Sequence, residues 1–187
     1  MNRAALIFFT LLASFATPAL AAQSAFPAKA EANGTTLVLN GQGPRLYGFF
    51  RVTVYRAALY LPKRNTTAKQ ILNVDAPRMI RMHYLHDVSA DDVRKAWRAY
   101  LHKNCTGHCH WPAPGVDAFL ALVGAVHAGD NQTYVFVPGR VDFSVNGVKI
   151  GHVQAAGFPA LLLSTWIGAV PTTQQLKQDL LGGDSGG

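Results

Sequence analysis

Few side chains in this sequence have a type and setting suited to catalysis or ligand binding. The sequence has no strand–turn–helix nucleophile elbow, no Gly-rich phosphate loop and no spaced pair of carboxylates. An arginine at the start of a strand offers a planar, always charged set of donors that suits a carboxylate or enolate oxygen, although a surface charge is the simpler interpretation. The candidates are Arg45, Tyr55, Tyr60, Arg81, His83, Asn104 and Thr165.

Several of these candidates also have simple structural explanations. Tyr55 and Tyr60 are an odd number of residues apart on one predicted strand, so they face opposite sides of the sheet and only one of them can line a given cleft. Asn104 is most simply a residue that ends a helix. The Thr165 hydroxyl lies in an apolar segment, where it would bond to a carbonyl oxygen one helical turn earlier.

The two cysteines, Cys105 and Cys109, lie close together with His108 and His110 beside them. In an oxidising compartment the simplest interpretation is a disulfide that closes a short loop. Two alternatives stay open, because Cys-x-x-x-Cys-His is one residue longer than the c-type haem attachment motif and because the histidines could join the cysteines as metal ligands. The disulfide is the prediction, and neither a metal nor another cofactor is predicted.

The N-terminus has the features of a secretory signal peptide. Arg3 precedes an apolar run, and Ala19-Leu20-Ala21 forms a small-x-small cleavage site. We therefore predict a signal peptide at 1–21, one domain at 22–183 and a disordered tail at 184–187. The protein would be periplasmic or secreted, without stable membrane insertion after cleavage, because the apolar run is too short for a membrane anchor.

The 187-residue chain carries a formal net charge of +7, which the loss of Arg3 with the signal peptide lowers by one. The basic residues are spread along the chain and form no run with interleaved aromatic residues, so binding of nucleic acid is not predicted. The charge is consistent with solubility and with a mild preference for anionic ligands or surfaces.

Hydrophobic periodicity predicts how the chain would position these side chains. The Asn146–Gly147 pair is a strong signal for a hairpin, and Ser89 is a predicted N-cap. Strands are predicted at 35–39, at 45–61 as one strand or two with a kink near Gly48, at 78–85, at 132–137 and on both sides of Asn146–Gly147. Helices are predicted at 67–72, 93–102, 116–128, 158–168 and 171–182, and residues 22–33 are predicted to be loose.

The order of these elements differs from βαβ alternation, so the predicted fold class is α+β. We expect an antiparallel β-sheet that is covered on one face by helices. A cleft between the sheet and the helices is the natural place for a ligand.

Five segments of the sequence resemble the chalcone isomerase-like family, in its secreted bacterial branch. Each motif is loose, but together they span nearly the whole predicted domain in the expected order. They are NGQGPR at 40–45, VYRAALYL at 54–61, WRAYLHKN at 97–104, VNGV at 145–148 and LLSTWIG at 162–168.

The resemblance implies roles for particular residues. Plant chalcone isomerases cyclise a chalcone to a flavanone, with an arginine that polarises the carbonyl group, and Arg45 matches it. Asn104 and Thr165 match the residues that hold the substrate hydroxyl, whereas Tyr55 replaces a strand threonine and Trp97 replaces the catalytic tyrosine. Because tryptophan cannot act as an acid, carbonyl activation loses one source of protons.

Three functional hypotheses follow. The first is a binding protein that holds a small apolar or anionic molecule, such as a fatty acid or a flavonoid, because fatty-acid-binding relatives in this family use the same arginine with a tyrosine to hold a carboxylate. The second is an isomerase of the intramolecular lyase type, and the third is a redox or haem-handling protein that works through Cys105 and Cys109. The predicted catalytic residues are Arg45, Tyr55, Asn104 and Thr165, and the predicted ligand-binding residues add Trp97 and Trp166.

Overall fold

The computed structural model describes residues 26–183, which form one seven-stranded sheet and five helices. The predicted signal peptide and the predicted tail lie outside these residues. The strands are β1 (Lys29–Ala32), β2 (Thr35–Tyr47), β3 (Val52–Leu61), β4 (Arg78–Tyr84), β5 (Asn131–Val137), β6 (Arg140–Val145) and β7 (Val148–Gln154). The helices are α1 (Ala68–Asn73), α2 (Ala90–Asn104), α3 (Val116–Leu122), α4 (Phe158–Ile167) and α5 (Gln174–Leu180).

The sheet is an antiparallel meander in which every strand pairs with the next one in the chain. Tight turns make this possible, and Asn146 and Gly147 both have positive φ (50° and 80°), as the predicted hairpin turn requires. The segment at 45–61 contains two strands, as in the second predicted alternative, but a reversing turn at 48–51 joins them in place of the predicted kink, and the first is the end of β2, which begins at Thr35.

One face of the sheet carries the main core. All five helices contribute buried residues to a cluster that contains the inward side chains of β3 to β7, including Tyr55, Ile80 and Tyr134. The other face carries a smaller cluster, in which Tyr60 packs with Phe26 and residues of β1. The prediction that Tyr55 and Tyr60 face opposite ways is confirmed, and so is the α+β class with helices on one face.

Helix α5 crosses close to strand β2. A side chain at Gly41 would overlap the carbonyl oxygens of Asp179 and Leu180, and one at Gly43 would overlap the Asp179 side chain. The two glycines therefore permit the contact between α5 and β2 that closes one end of the helical layer.

The predicted loose segment at 22–33 is partly wrong, because β1 occupies Lys29–Ala32. Ala30 pairs with Leu37, and both side chains are buried in the smaller cluster. The alternation in this strand is carried by alanines, whose small side chains give a weak periodic signal.

The predicted helix at 116–128 is too long, since α3 ends at Leu122. Val123 takes an extended conformation, and Val126 then forms an antiparallel bridge with Val88 at a site away from the named strands. Two backbone hydrogen bonds between these valines replace the helical ones, so a tertiary contact ends the helix where the local pattern would allow it to continue.

Helix α2 carries half of the residues that line the candidate site described below. Ser89 caps it as predicted, with its hydroxyl oxygen accepting from the Asp92 amide, and Asp91 and Asp92 lie in the first turn. The helix buries Val93, Trp97 and Leu101 against the sheet, so this face of α2 lies opposite the inner residues of β2 to β4. Among the described residues, no helix has the length and apolar character needed to cross a membrane.

Candidate ligand-binding site

A cavity of about 610 Å³ lies between α2 and the inner face of β2, β3 and β4. Its sheet side is formed by two residues from each strand, and its helix side by the face of α2 that contains Trp97. The lining residues are Arg45, Tyr47, Val54, Tyr55, Met82, Tyr84, Val88, Asp92, Val93, Lys95, Ala96, Trp97, Ala99, Tyr100, Lys103 and Thr172. We refer to it as the Arg45 cavity.

Arg45 is the dominant charge in this cavity. It lies near the end of β2, opposite Tyr55 in the strand register, and is only 8% exposed. Its Nη2 donates to the Tyr100 hydroxyl oxygen at 2.8 Å, its Nη1 donates to the Leu46 carbonyl oxygen, and the guanidinium lies over the Tyr47 ring.

No carboxylate among residues 26–183 forms an ion pair with Arg45. Buried charges in proteins are normally paired, because removing an unpaired charge from water is costly. A buried guanidinium with a phenol as its side-chain partner and a cavity beside it is therefore chemically suited to an anionic ligand.

Tyr55 and Tyr84 provide two phenols next to this charge, with ring centroids 5.4 Å apart. Burial raises the pKa of the Tyr55 hydroxyl, and the Arg45 charge partly offsets this. Burial likewise raises the pKa of Tyr84. Both hydroxyls are therefore neutral at physiological pH and can donate a hydrogen bond.

Two further polar atoms lie near the Tyr55 hydroxyl. Thr172 Oγ1 and Trp166 Nε1 are close enough to lower the Tyr55 pKa slightly, but both are buried and neither has a hydrogen bond of good geometry to a described residue. Buried polar atoms without a partner are uncommon. Of the two, only Thr172 lines the cavity, so its hydroxyl is an unpaired polar group at the same end as Arg45.

Trp97 forms the apolar floor of the Arg45 cavity. Its ring makes edge contacts with Phe119, Tyr134 and Trp166, at centroid distances of 5.2, 5.9 and 5.2 Å. These contacts continue into the main core, so Trp97 has a fixed position. Trp166 is fully buried behind it and does not line the cavity.

Asn104 and Thr165 lie outside the Arg45 cavity. The Asn104 amide nitrogen donates to the carbonyl oxygens of Tyr100 and Val170, at 2.9 and 2.8 Å, and thereby ties the end of α2 to the segment after α4. The Thr165 hydroxyl is fully buried and donates to the Leu162 carbonyl oxygen at 2.8 Å. Their predicted roles in binding or catalysis stay predictions.

A larger open groove of about 1030 Å³ contains Asn104 but neither Arg45 nor Tyr55. It lies between α1, α4 and the loop after α2, and His108, Cys109 and His110 contribute to its wall. We place the candidate site in the smaller cavity, because that is where a buried charge and unpaired polar atoms converge.

The disulfide between Cys105 and Cys109 is present, as predicted, and closes the loop that follows α2. Neither cysteine is therefore a free thiol that could attach haem or bind a metal as thiolate. Among the described residues, no group of three or more His, Cys, Asp or Glu side chains is placed to hold a metal ion.

The other sequence candidates lie on the opposite face of the sheet. The Tyr60 hydroxyl donates to the Pro27 carbonyl oxygen, and the Arg81 guanidinium lies over the Tyr60 ring. His83 Nδ1 is 3.0 Å from the Asn131 side-chain oxygen. The sheet separates these residues from Arg45.

Sequence reasoning missed Tyr100, Tyr84 and Thr172. Tyr100 lies one turn after Trp97 on the same face of α2, so the helical period alone could have identified it. Thr172 had no local signal, because a backbone hydrogen bond from its amide to the Thr165 carbonyl oxygen brings it to the cavity.

Comparisons with known proteins agree with this architecture. A family model described as chalcone isomerase-like matches residues 19–182. Among solved structures, a fatty-acid binding protein from Arabidopsis thaliana is similar, with a TM-score of 0.68 at 16% sequence identity over 84% of this chain and 91% of that one. A search of curated proteins found no match. At this identity the structural likeness shows the fold alone.

Proposed function

The chain belongs to the chalcone isomerase-like family, and from this premise we propose that it is a binding protein for a small apolar acid. The observation that carries the proposal is Arg45, a buried cation that lacks a carboxylate partner within the described residues and lies beside a cavity. The ligand's carboxylate would be that partner.

The geometry leaves donors available for this carboxylate. Arginine has five N–H groups, and two of its nitrogens donate here to Leu46 and Tyr100. The Tyr100 oxygen accepts from Arg45, so its own proton is free to be donated to the ligand. A carboxylate would thus accept charge-assisted hydrogen bonds from Arg45 together with one from Tyr100.

The rest of the cavity suits an apolar body. Val54, Met82, Val88, Val93 and Trp97 line it, and its volume lies within the usual range for pockets that bind small molecules. The similar Arabidopsis protein is a fatty-acid binding protein, and this supports a fatty acid as the first ligand to test. A flavonoid with an ionised phenol has the same combination of an anionic group and an apolar body.

An isomerase of the intramolecular lyase type is the second candidate, and Tyr100 is the observation that favours it. Its phenol lies 2.8 Å from Arg45, where it could supply the proton that Trp97 cannot. However, Asn104 and Thr165 already bond to backbone groups and lie away from Arg45. A chalcone would therefore be held at one end only, so we expect its cyclisation to remain near the spontaneous rate.

Export to the periplasm or the cell exterior is part of the proposal. The N-terminal signal features support it, and so does the Cys105–Cys109 disulfide, because such bonds persist in oxidising compartments. Mass spectrometry of the protein from its own cell envelope tests this: the chain should begin near Ala22 and contain no free thiol.

The test of function is a fatty-acid binding assay on wild type and Arg45→Ala. The variant should bind about 1.5–3 kcal/mol more weakly, the usual scale for a charge-assisted hydrogen bond. Arg45→Lys should recover part of this, because an ammonium keeps the charge but not the planar geometry. The matched control is Arg56→Ala on the outer face of β3, which should bind as wild type does.

Two results would oppose the proposal. Equal binding by wild type and Arg45→Ala would place the ligand elsewhere. Fast, enantioselective cyclisation of a chalcone that disappears in Arg45→Ala would make the protein an isomerase.

A further inference from the structure

The turn between β2 and β3 exposes two adjacent phenylalanines. Phe49 is 94% exposed and Phe50 is 87% exposed, and their rings touch only each other among the aromatic contacts of the described residues. The Arg51 amide donates to the Gly48 carbonyl oxygen at 3.2 Å, so the two phenylalanines occupy the central positions of a tight turn.

The fold does not require phenylalanine at these positions. The centre of a turn usually holds Gly, Asn, Asp, Ser or Pro, whose side chains favour the turn or hydrogen-bond to it. Neither Phe49 nor Phe50 belongs to a core cluster. An exposed aromatic pair that contributes nothing to folding is typical of a surface that contacts a partner.

Further exposed apolar side chains lie at the same end of the sheet. Because the strands alternate in direction, the ends of β2 and β4 and the start of β7 share this end. Besides the two phenylalanines it carries Val52, Leu85 after β4, and Val148 and Ile150 in β7, each at least 40% exposed. We call this set the apolar end.

The apolar end is a row of exposed apolar side chains that do not form one continuous patch. Neighbouring strands are about 4.8 Å apart, so the row from β2 to β7 is roughly 25 Å long. The polar turn residues Asp130 and Asn146 interrupt it and bond to each other. A protein interface usually needs one well-packed patch of about 800 Å² per partner, whereas a fluid lipid surface can accept separate side chains.

Positive charge near the hairpin favours an anionic surface. Arg51 adjoins the two phenylalanines, and Lys95 and Lys103 are exposed residues that line the Arg45 cavity. None of these three is in an ion pair with a described residue. The acid at the opening, Asp92, accepts a hydrogen bond from the Ser89 hydroxyl. Basic residues beside an apolar anchor strengthen binding to anionic lipids.

We propose that the apolar end docks on an anionic lipid bilayer, with Phe49 and Phe50 inserted among the lipid headgroups. Strand β2 then leads from the membrane into the Arg45 cavity, because Tyr47 lines the cavity and Gly48 begins the turn. An apolar acid that leaves the bilayer would thus meet the cavity opening directly. Docking itself does not depend on the proposed ligand.

The test is flotation with vesicles of phosphatidylcholine alone or mixed with phosphatidylglycerol. The protein is used in the form that the expressing cell produces, whether or not its N-terminus has been cleaved. Wild type should float with the anionic vesicles. Phe49→Ser/Phe50→Ser should bind them roughly tenfold to 100-fold more weakly, because the inserted apolar area is lost. Arg51→Glu should reduce the preference for anionic vesicles. Wild type and all variants have the same N-terminus, so any vesicle binding by that segment is the same in every assay.

The matched control is Val74→Ser, which removes an exposed apolar side chain at the opposite end of the sheet and should float as wild type does. Fatty-acid binding in solution by Phe49→Ser/Phe50→Ser should equal that of wild type, which shows that the variant is folded and keeps the two proposals separate.

Three results would overturn docking: no flotation of wild type, equal flotation of the double variant, or concentration-dependent dimers of wild type that the double variant abolishes.

Discussion

Within residues 26–183 two arginines are buried, at opposite ends of the sheet, and their surroundings differ. Arg78 is 3% exposed at the start of β4, and its Nη1 donates to the carbonyl oxygens of Ile71 and Leu72 at 2.7 and 3.2 Å. Arg45 is similarly buried near the end of β2, but its side-chain partner is the Tyr100 phenol and it faces a cavity.

We interpret this difference as one between a structural charge and the proposed binding charge. Arg78 lies at the last turn of α1, where free carbonyl oxygens and the helix dipole favour a cation. Its Nη1 is satisfied by carbonyl oxygens of the chain itself, which hold α1 against the sheet, whereas its buried Nε has no hydrogen-bond partner among the described residues. Arg45 differs in that it lines an open volume, so an anion from outside the chain can reach it, as the proposed function requires.

The largest expected effect tests the structural arginine. Arg78→Ala should lower the free energy of unfolding by about 3 kcal/mol, because charge-assisted hydrogen bonds to buried carbonyl oxygens are lost. Arg45→Met, which keeps an apolar stem of similar length, should change it by less than about 1 kcal/mol. Urea denaturation measures both. Equal losses in the two variants would remove the distinction between the two arginines.

Three buried phenols of the main core predict a loss of stability at alkaline pH. Burial raises the pKa values of Tyr55, Tyr84 and Tyr134 above their ordinary value of 10.0. Above pH 10 the unfolded chain therefore releases protons that the folded chain retains, so the stability that is present below pH 10 falls as the pH rises.

Each such tyrosine contributes a slope of at most about 1.4 kcal/mol per pH unit between its unfolded and folded pKa values. Tyr55→Phe should therefore reduce the slope above pH 10 by about this amount, because one of the groups with a raised pKa no longer titrates. Urea denaturation from pH 9 to 11 measures the slope. An unchanged slope in Tyr55→Phe would show that this phenol is solvated.

The smallest expected effect concerns the partner of Arg45. Tyr100→Phe should weaken fatty-acid binding by about 1 kcal/mol, or roughly fivefold, because one hydrogen bond to the carboxylate is lost. Tyr47→Phe is the control, since Tyr47 contacts Arg45 through its ring, which phenylalanine keeps. Calorimetric titration measures both affinities. A similar loss in the two variants would argue against a specific role for the Tyr100 hydroxyl.

Much of the fold could be predicted because its signals are local. The Asn146–Gly147 turn, the Ser89 cap and the odd spacing of Tyr55 and Tyr60 each depend on a few neighbouring residues, and the structure confirms all three. Strand β1 and the early end of α3 were missed, because they are decided by pairing with distant segments.

The site was only partly predictable for the same reason. Three of the predicted site residues, Arg45, Tyr55 and Trp97, line one cavity, and their roles stay predictions. Asn104 donates to the Val170 carbonyl oxygen and lies outside the cavity. Thr172 lines the cavity, and its amide donates to the Thr165 carbonyl oxygen. Neither of these two hydrogen bonds has a counterpart in a sequence motif. The helical period places Tyr100 on the same face of α2 as Trp97, but the family motif matched Trp97 and not Tyr100.

The most direct measurement of the central claim removes the charge from the ligand. Calorimetry would compare a long-chain fatty acid with its methyl ester, on wild type and on Arg45→Ala. Wild type should prefer the acid by about tenfold or more, since only the ionised carboxylate can accept charge-assisted hydrogen bonds from Arg45. Arg45→Ala should bind acid and ester alike. A wild type that binds the two equally, or a preference for the acid that survives in Arg45→Ala, would contradict capture of a carboxylate by Arg45.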